Sequence, residues 1–370
     1  MASKLERVPR FCHSGAVPIP DQRDPEITRK ALTEWLAAQV GEPVELSEIS
    51  TPGGTGFSNE TLLFDATWDG GTRGLVARLK PRGYAVFPDL DPMRQWRTLK
   101  ALNDHTDVPV PAVLWAEDDD ALLGSPFFVM EKVEGLVPSD VPSYNAEGFL
   151  LDLTPEERRA LWESGVDAMA RVHRVDWQSA GFGFLDCAED GARGLPQYLA
   201  YLERYFEWAA RGKPYPEAER AWGWLTNHIP TDEPVGLCWG DSRPSNMLFH
   251  EGRCAAVLDW EMVRLGAPEQ DLGWWLFFDR FASEGYEVPR LEGLPDRDAT
   301  IALHEALIDR SVRTGSLMFY EILTGFYFAL IMMRIGQMMI EYEWMPADSD
   351  FETNNPSTHL LSTVLDEVGA

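Results

Sequence analysis

Asp241, Asn246 and Asp259 place oxygen-bearing side chains in two short polar turns of the chain. Each turn lies beside an apolar run, residues 247–249 and residues 255–258, of the kind that forms a buried strand. An Asp, an Asn five residues later and a second Asp after a strand hairpin follow the spacing by which kinase-like folds assemble a base and two metal ligands. That chemistry needs one group that orients an attacking hydroxyl, and it needs oxygen ligands for Mg²⁺.

The three side chains suit different parts of such a reaction. Asp241 is the candidate base, although a carboxylate with a pKa of about 4 is a weak base for an alcohol. We therefore expect Asp241 to accept a hydrogen bond from the attacking hydroxyl and to align it, with proton transfer late in the reaction. Asn246 offers Mg²⁺ a neutral oxygen and Asp259 a charged one, while Glu261 is a candidate supporting acid. Each residue alone is also typical of a turn cap, but the three together favour the catalytic interpretation.

The stretches that carry these residues are W-G-D-S-R-P-S-N, at residues 239–246, and L-D-W-E, at residues 258–261. They resemble the aminoglycoside phosphotransferase and choline kinase-like family, whose usual pattern is H-G-D-x-x-x-x-N followed by an I/L-D-W/F-E/G motif. The nearest branch is that of kinase-like domains associated with acyl-CoA dehydrogenases. The resemblance covers residues 30–345 and is most specific in the quoted stretches. Trp239 stands where the family usually has His, and Arg243 replaces a second frequent His.

The resemblance implies roles for further residues in the second half of the chain. It implies that Asp271, at a predicted helix start, braces the catalytic loop and that His173 is structural. Trp239 can steady the same loop by packing and through its single N–H donor. Arg243 has two open interpretations: it contacts the transferring phosphate or an acidic acceptor, or it pairs with Glu261 or Asp271.

A glycine-rich turn in the first third of the chain is a candidate phosphate-covering loop. It lies between two strand-like runs, whereas a Rossmann or Walker site needs a helix N-terminus after the glycines. A strand-turn-strand loop can direct its N–H groups toward phosphate oxygens, and an ordinary hairpin turn is the alternative. The residues predicted to bind nucleotide here are Gly53, Gly54, Thr55, Gly56, Phe57 and Ser58.

The next strand-like run carries two cations that could bind ATP phosphates. Arg78 aligns with the kinase strand-three cation, and Lys80 competes because positions 78 and 80 point the same way on a strand. Two exposed strand-face cations are the alternative. Gln95 stands where the family usually has the partnering Glu, and its carbonyl can accept a guanidinium N–H. Main-chain groups around Glu131 and Val133 are expected to meet adenine, unless this segment is a plain strand end.

The remaining pattern predicts the elements that position these residues. A helix over 25–40 precedes strand-like runs at 44–50, 61–68, 75–80, 113–115 and 126–132, with a helix over 91–103 after the third run. Helical patterns follow at 155–175, 197–210, 217–228, 269–284, 298–312 and 314–342. Strands first and helices later predict an α+β, two-lobed, protein-kinase-like fold with a small antiparallel sheet and a mainly helical C-lobe.

The lobe boundaries follow from the same pattern. Residues 1–130 form the predicted nucleotide-binding lobe, with its leading helix. Residues 131–370 form the predicted C-lobe, which carries the catalytic and metal loops and the acceptor pocket. Candidate lining residues of that pocket are aromatic, although core packing is the competing interpretation for most of them: Trp274, Trp275, Tyr201, Tyr205, Phe278 and Tyr320.

The charge of the chain limits its partners. The net charge of −28 and the lack of a basic stripe argue against nucleic acid as a partner. Residues 1–130 carry 13 basic and 19 acidic residues, a net charge of −6, which leaves −22 on residues 131–370. An acidic C-lobe favours a cationic or neutral acceptor over a polyanion, and a merely solvated surface is the alternative.

The sequence predicts neither a membrane-spanning segment nor a signal peptide, and its cysteines do not indicate disulfides. Residues 317–340 are very apolar, but Glu321, Arg334 and Gln337 interrupt them, so we expect a buried helix and no membrane partner. The N-terminus lacks an apolar signal-peptide core. The four cysteines have no metal spacing and indicate reduced thiols in a cytoplasmic protein: Cys12, Cys187, Cys238 and Cys254. We expect the protein to be a monomer or a homodimer.

The sequence therefore predicts an enzyme that transfers the γ-phosphoryl group of ATP or GTP, with Mg²⁺, to a hydroxyl of a small molecule. The resemblance suggests aminoglycosides, choline-like alcohols, amino alcohols or hydroxyacyl compounds as acceptors. One rival is a pseudokinase-like nucleotide-binding module, for which Gln95 and Trp239 are the evidence. A second rival, a protein kinase, is disfavoured because no D-F-G and A-P-E pair encloses an activation loop.

Overall fold

The computed structural model describes residues 23–51 and 59–370. The chain divides into two compact units. The first runs to Asn103 and resumes over Pro111–Glu134, and the second comprises Asp104–Val110 and Gly135–Ala370. The sequence placed the boundary after residue 130. The division falls four residues later because the backbone N–H of Lys132 still donates to the Gly74 carbonyl of the sheet, at 2.9 Å.

The first unit contains a five-stranded antiparallel sheet. Its strand order is β1-β2-β3-β5-β4, and the helix α2, Pro92–His105, lies between β3 and β4 in sequence. The strands are β1 Glu45–Leu46, β2 Glu60–Trp68, β3 Gly71–Leu79, β4 Val113–Glu117 and β5 Phe127–Glu131. This arrangement confirms the predicted antiparallel sheet with its inserted helix. The β2–β3 hairpin turns at Asp69 and Gly70, whose φ angles of 49° and 70° are typical of a tight two-residue turn.

One face of this sheet is covered by α1, Pro25–Val40, which begins and ends where the sequence predicted. The Asp24 side chain caps the helix by accepting from the backbone N–H groups of Glu26 and Ile27, both at 3.0 Å. Apolar side chains of α1 and of alternate strand positions form the core of this unit, with Leu32, Leu36, Phe64, Leu75, Ala77, Leu79, Phe127 and Val129 among its members. Since side chains alternate along a strand, Arg78 lies on the opposite face of the sheet.

The second unit is mainly helical, as predicted. Its helices are α3 Pro155–His173, α4 Leu195–Ala210, α5 Pro216–Asn227, α6 Glu269–Arg280, α7 Arg297–Ile308, α8 Thr314–Glu341 and α9 Pro356–Glu367. Two small antiparallel pairs accompany them: β6 Gly236–Cys238 with β9 Arg264–Gly266, and β7 Met247–His250 with β8 Arg253–Val257. The helix α9 was not predicted. With the sheet of the first unit, these elements confirm the α+β, kinase-like class.

Local signals define the start of α3. The Thr154 hydroxyl accepts from the Glu157 N–H at 3.2 Å, and the Glu157 carboxylate accepts from the Thr154 N–H at 2.8 Å. This reciprocal pair is a capping box, and it satisfies two N–H groups that the first helical turn leaves free.

The apolar helix α8 packs inside the second unit. Among the described helices it alone is long and apolar enough to cross a membrane, and 78% of its most apolar stretch is buried in the protein. A Cβ at Gly325 would lie 2.8 Å from the Phe277 ring, and one at Gly336 would lie 3.2 Å from the Glu352 backbone. The two glycines therefore allow neighbouring groups to pack closely against α8.

Candidate active site

The two strand pairs of the second unit bring the polar turns together. The strand β6 ends at Cys238, directly before the turn that carries Asp241, and the β7–β8 hairpin separates Asn246 from Asp259. The N–H of Leu258 donates to the Asn246 carbonyl at 2.8 Å. The indole N–H of Trp239 donates to the Leu258 carbonyl at 2.7 Å. Trp239 thus steadies the loop by packing and one N–H donor, as the sequence suggested.

Gly240 sets the direction of the turn before Asp241. Its φ angle is 100°, a conformation that L-residues with a side chain rarely adopt. A Cβ at this position would lie 2.3 Å from the Met262 carbonyl oxygen. Glycine is therefore required here by both backbone conformation and space.

The Asp241 carboxylate is buried and only partly occupied by hydrogen bonds. Its Oδ1 accepts from the indole N–H of Trp274 at 2.7 Å and from Nε of Arg243 at 2.9 Å. Its Oδ2 accepts one longer bond, 3.3 Å, from the second guanidinium arm. Burial and the nearby Asp259 charge raise the pKa of Asp241, while Arg243 and Asn246 oppose that shift. Oδ2 is therefore the oxygen with capacity for a further hydrogen bond.

Arg243 takes partners that the sequence did not suggest. It forms ion pairs with Asp140, which lies 103 residues earlier, and with Asp241. Its guanidinium carbon also lies 5.0 Å from the centre of the Phe278 ring. The suggested pairing with Glu261 or Asp271 is wrong, because the turn directs Arg243 toward the loop that contains Asp140.

Asn246 and Asp259 are the two candidate magnesium ligands. The Asn246 amide nitrogen donates to the Asp241 carbonyl at 3.1 Å, which leaves the amide oxygen to face another group. Asp259 adopts a left-handed backbone conformation, with φ of 59°, shortly after the buried end of β8. No cluster of three or more His, Cys, Asp or Glu ligands occurs in the described part of the chain. Mg²⁺ suits such a site, since it commonly uses one or two protein oxygens together with phosphates and water.

The Asp271 carboxylate braces the catalytic loop from the first turn of α6. It is fully buried and accepts from the backbone N–H groups of Trp239, at 2.7 Å, and Gly240, at 2.8 Å. The Ser242 hydroxyl donates to the Asp271 carbonyl at 2.6 Å. The role that the resemblance implied for Asp271 therefore has a direct geometric basis.

His173 extends this brace to a residue that sequence reasoning missed. Its Nε2 lies 3.0 Å from Asp271 Oδ2, and its Nδ1 lies 2.8 Å from Nε2 of His304 on α7. A carboxylate can only accept, so His173 carries its proton on Nε2 and His304 donates from its own Nε2. The Nδ1 of His304 is then an unpaired acceptor in the buried core. Burial, with smaller contributions from His173 and Arg310, lowers the pKa of His304 to about 2.

A small cavity lies beside Arg243, the ion-pair partner of Asp241. It is lined by charged, polar and aromatic groups: Asp140, Tyr144, Arg243, Pro244, Ser245, Phe278, Phe281, Ala282 and Tyr286. Of the aromatic residues proposed from sequence, Phe278 lines this cavity and Trp274 contacts Asp241. Trp275, Tyr205 and Tyr320 are core residues, while Tyr201 is half-buried.

The structure gives hydrogen-bond partners for two candidate residues of the first unit, Arg78 and Gln95. The Arg78 guanidinium donates to the Thr61 hydroxyl at 3.1 Å, and the Gln95 amide nitrogen donates to Asn59 Oδ1 at 3.3 Å. Lys80 follows the end of β3 and is exposed. The contact between Arg78 and Gln95 remains a prediction.

The other nucleotide-binding candidates are the segment expected to contact adenine and the glycine-rich turn. Glu131 ends β5 and is exposed, and Val133 is half-buried shortly after it. Gly53, Gly54, Thr55, Gly56, Phe57 and Ser58 lie outside the described residues.

Comparison with known proteins identifies the family of this chain. The model of the phosphotransferase enzyme family, abbreviated APH, matches residues 51–303 of this chain. The chain belongs to that family. It is 31% identical over 288 residues to acyl-CoA dehydrogenase family member 10 of Mus musculus, covering 76% of this chain and 25% of that protein. It is 29% identical over 230 residues to family member 11 of Homo sapiens, covering 60% of this chain and 27% of that protein.

Solved structures support the same family. A candidate aminoglycoside phosphotransferase from Ralstonia eutropha has a TM-score of 0.68 and 26% identity, over 91% of this chain and 98% of its own. A thermostable mutant of aminoglycoside phosphotransferase APH(4)-Ia, in ternary complex with AMP-PNP and hygromycin B, has a TM-score of 0.57 and 14% identity. That match covers 92% of this chain and 99% of the other. At this low identity the second likeness shows the fold alone. This family member spans only a quarter to a third of the length of the curated relatives that it matches.

Proposed function

We propose that this family member transfers the γ-phosphoryl group of ATP or GTP to a hydroxyl group of a small molecule. The observation that carries the proposal is the Asp241 carboxylate, which is buried on a braced loop and whose Oδ2 accepts a single long hydrogen bond, at 3.3 Å. A carboxylate in this setting can position a hydroxyl for attack on a phosphorus atom. The neighbouring Asn246 and Asp259 add the oxygen ligands that phosphoryl transfer needs.

Asp241 acts on the acceptor hydroxyl. Oδ2 accepts the hydrogen bond of that hydroxyl, while Trp274 and Arg243 hold Oδ1 and thereby set the plane of the carboxylate. The hydroxyl proton passes to Oδ2 as the bond from oxygen to phosphorus forms and the bond to the leaving nucleoside diphosphate breaks. A positioned general base of this kind contributes roughly 10²–10⁴-fold to the rate.

Asn246 and Asp259 would hold Mg²⁺. When bound, this ion neutralises the charge on the phosphate oxygens and favours their in-line geometry. The neighbouring structure with AMP-PNP supports a nucleotide as the phosphoryl donor. We retain Arg78, with Lys80 as its competitor, as the proposed phosphate contact of the first unit, and the main chain near Glu131 and Val133 as the proposed base contact.

The second candidate function is a nucleotide-binding module without turnover. It is favoured by Gln95, a neutral residue that donates to Asn59 where the family usually places an anionic partner for the strand cation. The grouping of Asp241, Asn246 and Asp259 favours the enzyme, since a module that only binds nucleotide has no need of a base with an open oxygen.

Turnover in an Asp241→Asn variant separates the two functions. The assay is ADP release from Mg·ATP with a panel of amines, amino alcohols, sugars and hydroxy acids, and Asp348→Asn, an exposed site, is the matched control. We expect kcat to fall roughly 10²–10⁴-fold in Asp241→Asn, with ATP affinity nearly unchanged and the control like the wild type. Turnover that survives Asp241→Asn contradicts the mechanism. Nucleotide binding by a wild-type protein that turns over no acceptor favours the binding module.

A further inference from the structure

Asp140 is an exposed acid that contacts the turn of Asp241 from the loop before α3. Its Oδ2 forms an ion pair with Nη1 of Arg243, which lies 103 residues later. Its Oδ1 accepts from the Ser245 hydroxyl at 3.3 Å. Both partners belong to the turn that joins Asp241 to Asn246, so Asp140 acts on the candidate catalytic turn although it lies outside both sequence motifs.

The Arg243 guanidinium lies between two carboxylates. Its Nη1 donates to Asp140, while its Nε and Nη2 donate to Oδ1 and Oδ2 of Asp241 at 2.9 and 3.3 Å. Its guanidinium carbon lies over the Phe278 ring, 5.0 Å from the ring centre, and Phe278 stacks on Trp274 at 5.2 Å. Contacts at the end, the edge and one face of the guanidinium therefore fix its orientation.

The two hydrogen bonds from Arg243 to Asp241 are unequal. A guanidinium that faces one carboxylate alone commonly forms two parallel bonds of about 2.7–2.9 Å, whereas here only the bond to Oδ1 is that short. Burial acts to lower the pKa of Arg243, but Asp140 and then Asp241 raise it, with Asp140 the larger of the two contributions. Asp140 is therefore the stronger electrostatic partner, and its attraction for Nη1 opposes closure of the guanidinium on Oδ2.

We propose that Asp140 is a positioning residue, which holds Arg243 so that Oδ2 of Asp241 stays available to the hydroxyl of the acceptor. The inference rests on the proposed function, in which Oδ2 accepts the hydrogen bond of that hydroxyl. Without the Asp140 carboxylate, the edge formed by Nε and Nη2 can close on Asp241 and occupy both of its oxygens.

Asp140 also changes the charge that the acceptor meets. Two carboxylates share the single guanidinium, so the group as a whole keeps a negative charge. A closed pair of Arg243 and Asp241 alone would be neutral, and its oxygens would attract the acceptor hydroxyl less strongly. The competing role for Asp140 is a plain anchor of its loop, since it also lines the cavity beside Arg243. The two roles differ because only the positioning role depends on the Arg243 guanidinium.

A double-mutant cycle tests this dependence. ADP release gives kcat and both KM values for the wild type, Asp140→Asn, Arg243→Gln and the variant that carries both substitutions. Asp140→Glu keeps a carboxylate for Arg243 and serves as the conservative variant. The matched control is Asp190→Asn, which removes the acid of another Asp–Arg pair of the second unit, formed with Arg204 at 2.8 Å.

We expect Asp140→Asn to lower kcat roughly tenfold, as for one lost charged contact, with both KM values nearly unchanged. Asp140→Glu should recover most of kcat, and Asp190→Asn should behave like the wild type. In the Arg243→Gln background, Asp140→Asn should change kcat by less than about twofold, because no guanidinium is left to close on Asp241. Equal losses in both backgrounds, an effect on the acceptor KM alone, or an unchanged kcat in Asp140→Asn would overturn the proposal.

Crystal structures of the wild type and Asp140→Asn, grown in the same form, make the test independent of turnover. We expect the distance from Nη2 of Arg243 to Oδ2 of Asp241 to shorten from 3.3 Å to about 2.9 Å in the variant. If the wild type turns over no acceptor, this closure still supports the control of Arg243 by Asp140, although the phosphotransferase proposal has failed. An unchanged distance in Asp140→Asn rejects the positioning role, whether or not the protein is an enzyme.

Discussion

Asp271→Asn is the sharpest perturbation of the candidate catalytic loop, because it replaces one carboxylate oxygen by an NH₂ group in a fully buried side chain. The carboxylate accepts from the N–H groups of Trp239 and Gly240 and from His173, at 2.7, 2.8 and 3.0 Å. An asparagine amide has one oxygen and one NH₂ group. Whichever way it is placed, the NH₂ faces at least one N–H donor, and the remaining bonds lose the charge of the acceptor.

The expected loss of stability follows from these contacts. A buried donor left without a partner costs about 1–3 kcal/mol, and replacing a charged acceptor by a neutral one weakens each of the two remaining bonds by about 1 kcal/mol. The free energy of unfolding of the second unit should therefore fall by about 3–5 kcal/mol. Since the brace positions the backbone next to Asp241, we also expect kcat to fall roughly 10²-fold, the scale of a displacement of about 1 Å.

Two measurements check this prediction against a matched control. Urea unfolding gives the change in stability, and ADP release with the best acceptor gives kcat. Glu321→Gln removes the charge of another buried acid, which pairs with Arg297 at 2.6 Å away from the loop. We expect both variants to lose stability but only Asp271→Asn to lose kcat. Asp271→Asn with less than about 1 kcal/mol of destabilisation and wild-type kcat would refute the reasoning.

Three further outcomes are expected. Asp259→Ala should weaken Mg·ATP binding in calorimetry and leave metal-free nucleotide binding unchanged, and equal Mg·ATP affinities would remove Asp259 from the metal site. Arg78→Ala should raise the ATP KM or lower kcat roughly ten- to a hundredfold, about 1.5–3 kcal/mol for one charged contact, whereas a larger loss in Lys80→Ala would show that Lys80 is the phosphate ligand. Burial lowers the pKa of His304 from 6.5 in the unfolded chain to about 2 in the folded protein. Below pH 6.5 the unfolded chain therefore binds a proton at His304 that the folded protein does not bind, and the free energy of unfolding falls with the pH. From pH 7.5 to 5 the wild type should lose about 2 kcal/mol more unfolding free energy than His304→Gln in urea titrations, and parallel losses would contradict a neutral buried His304.

Short-range patterns made most of the secondary structure predictable. The limits of α1, the capping box of Thr154 and Glu157, and the turn at Asp69 and Gly70 each depend on residues within a few positions of one another. The helix α9 was missed, although Asn355 caps it and Pro356 begins it. Its apolar face is short and gains its stability from packing against α8, which the local sequence does not reveal.

The partners of the site residues were less predictable. One of the two interpretations of Arg243 was an ion pair with Glu261 or Asp271, but its carboxylate partners are Asp140 and Asp241. Asp140 lies in a loop without regular structure, and nothing in its own sequence context identifies it as an ion-pair partner. The direction of a long side chain depends on the folded backbone around it, so sequence spacing alone cannot select among several nearby acids.

The sequence by itself determined the family, the order of most strands and helices, and the candidate base and magnesium ligands. Asp241, Asn246 and Asp259 were accessible to sequence reasoning because short turns and one hairpin bring them together. Tertiary structure alone decided that His304, 131 residues after His173, completes the brace on the catalytic loop. It also decided that Arg264 packs against the rings of Tyr198 and Tyr327. These features depend on contacts between elements far apart in the chain, which only the packing of the whole unit creates.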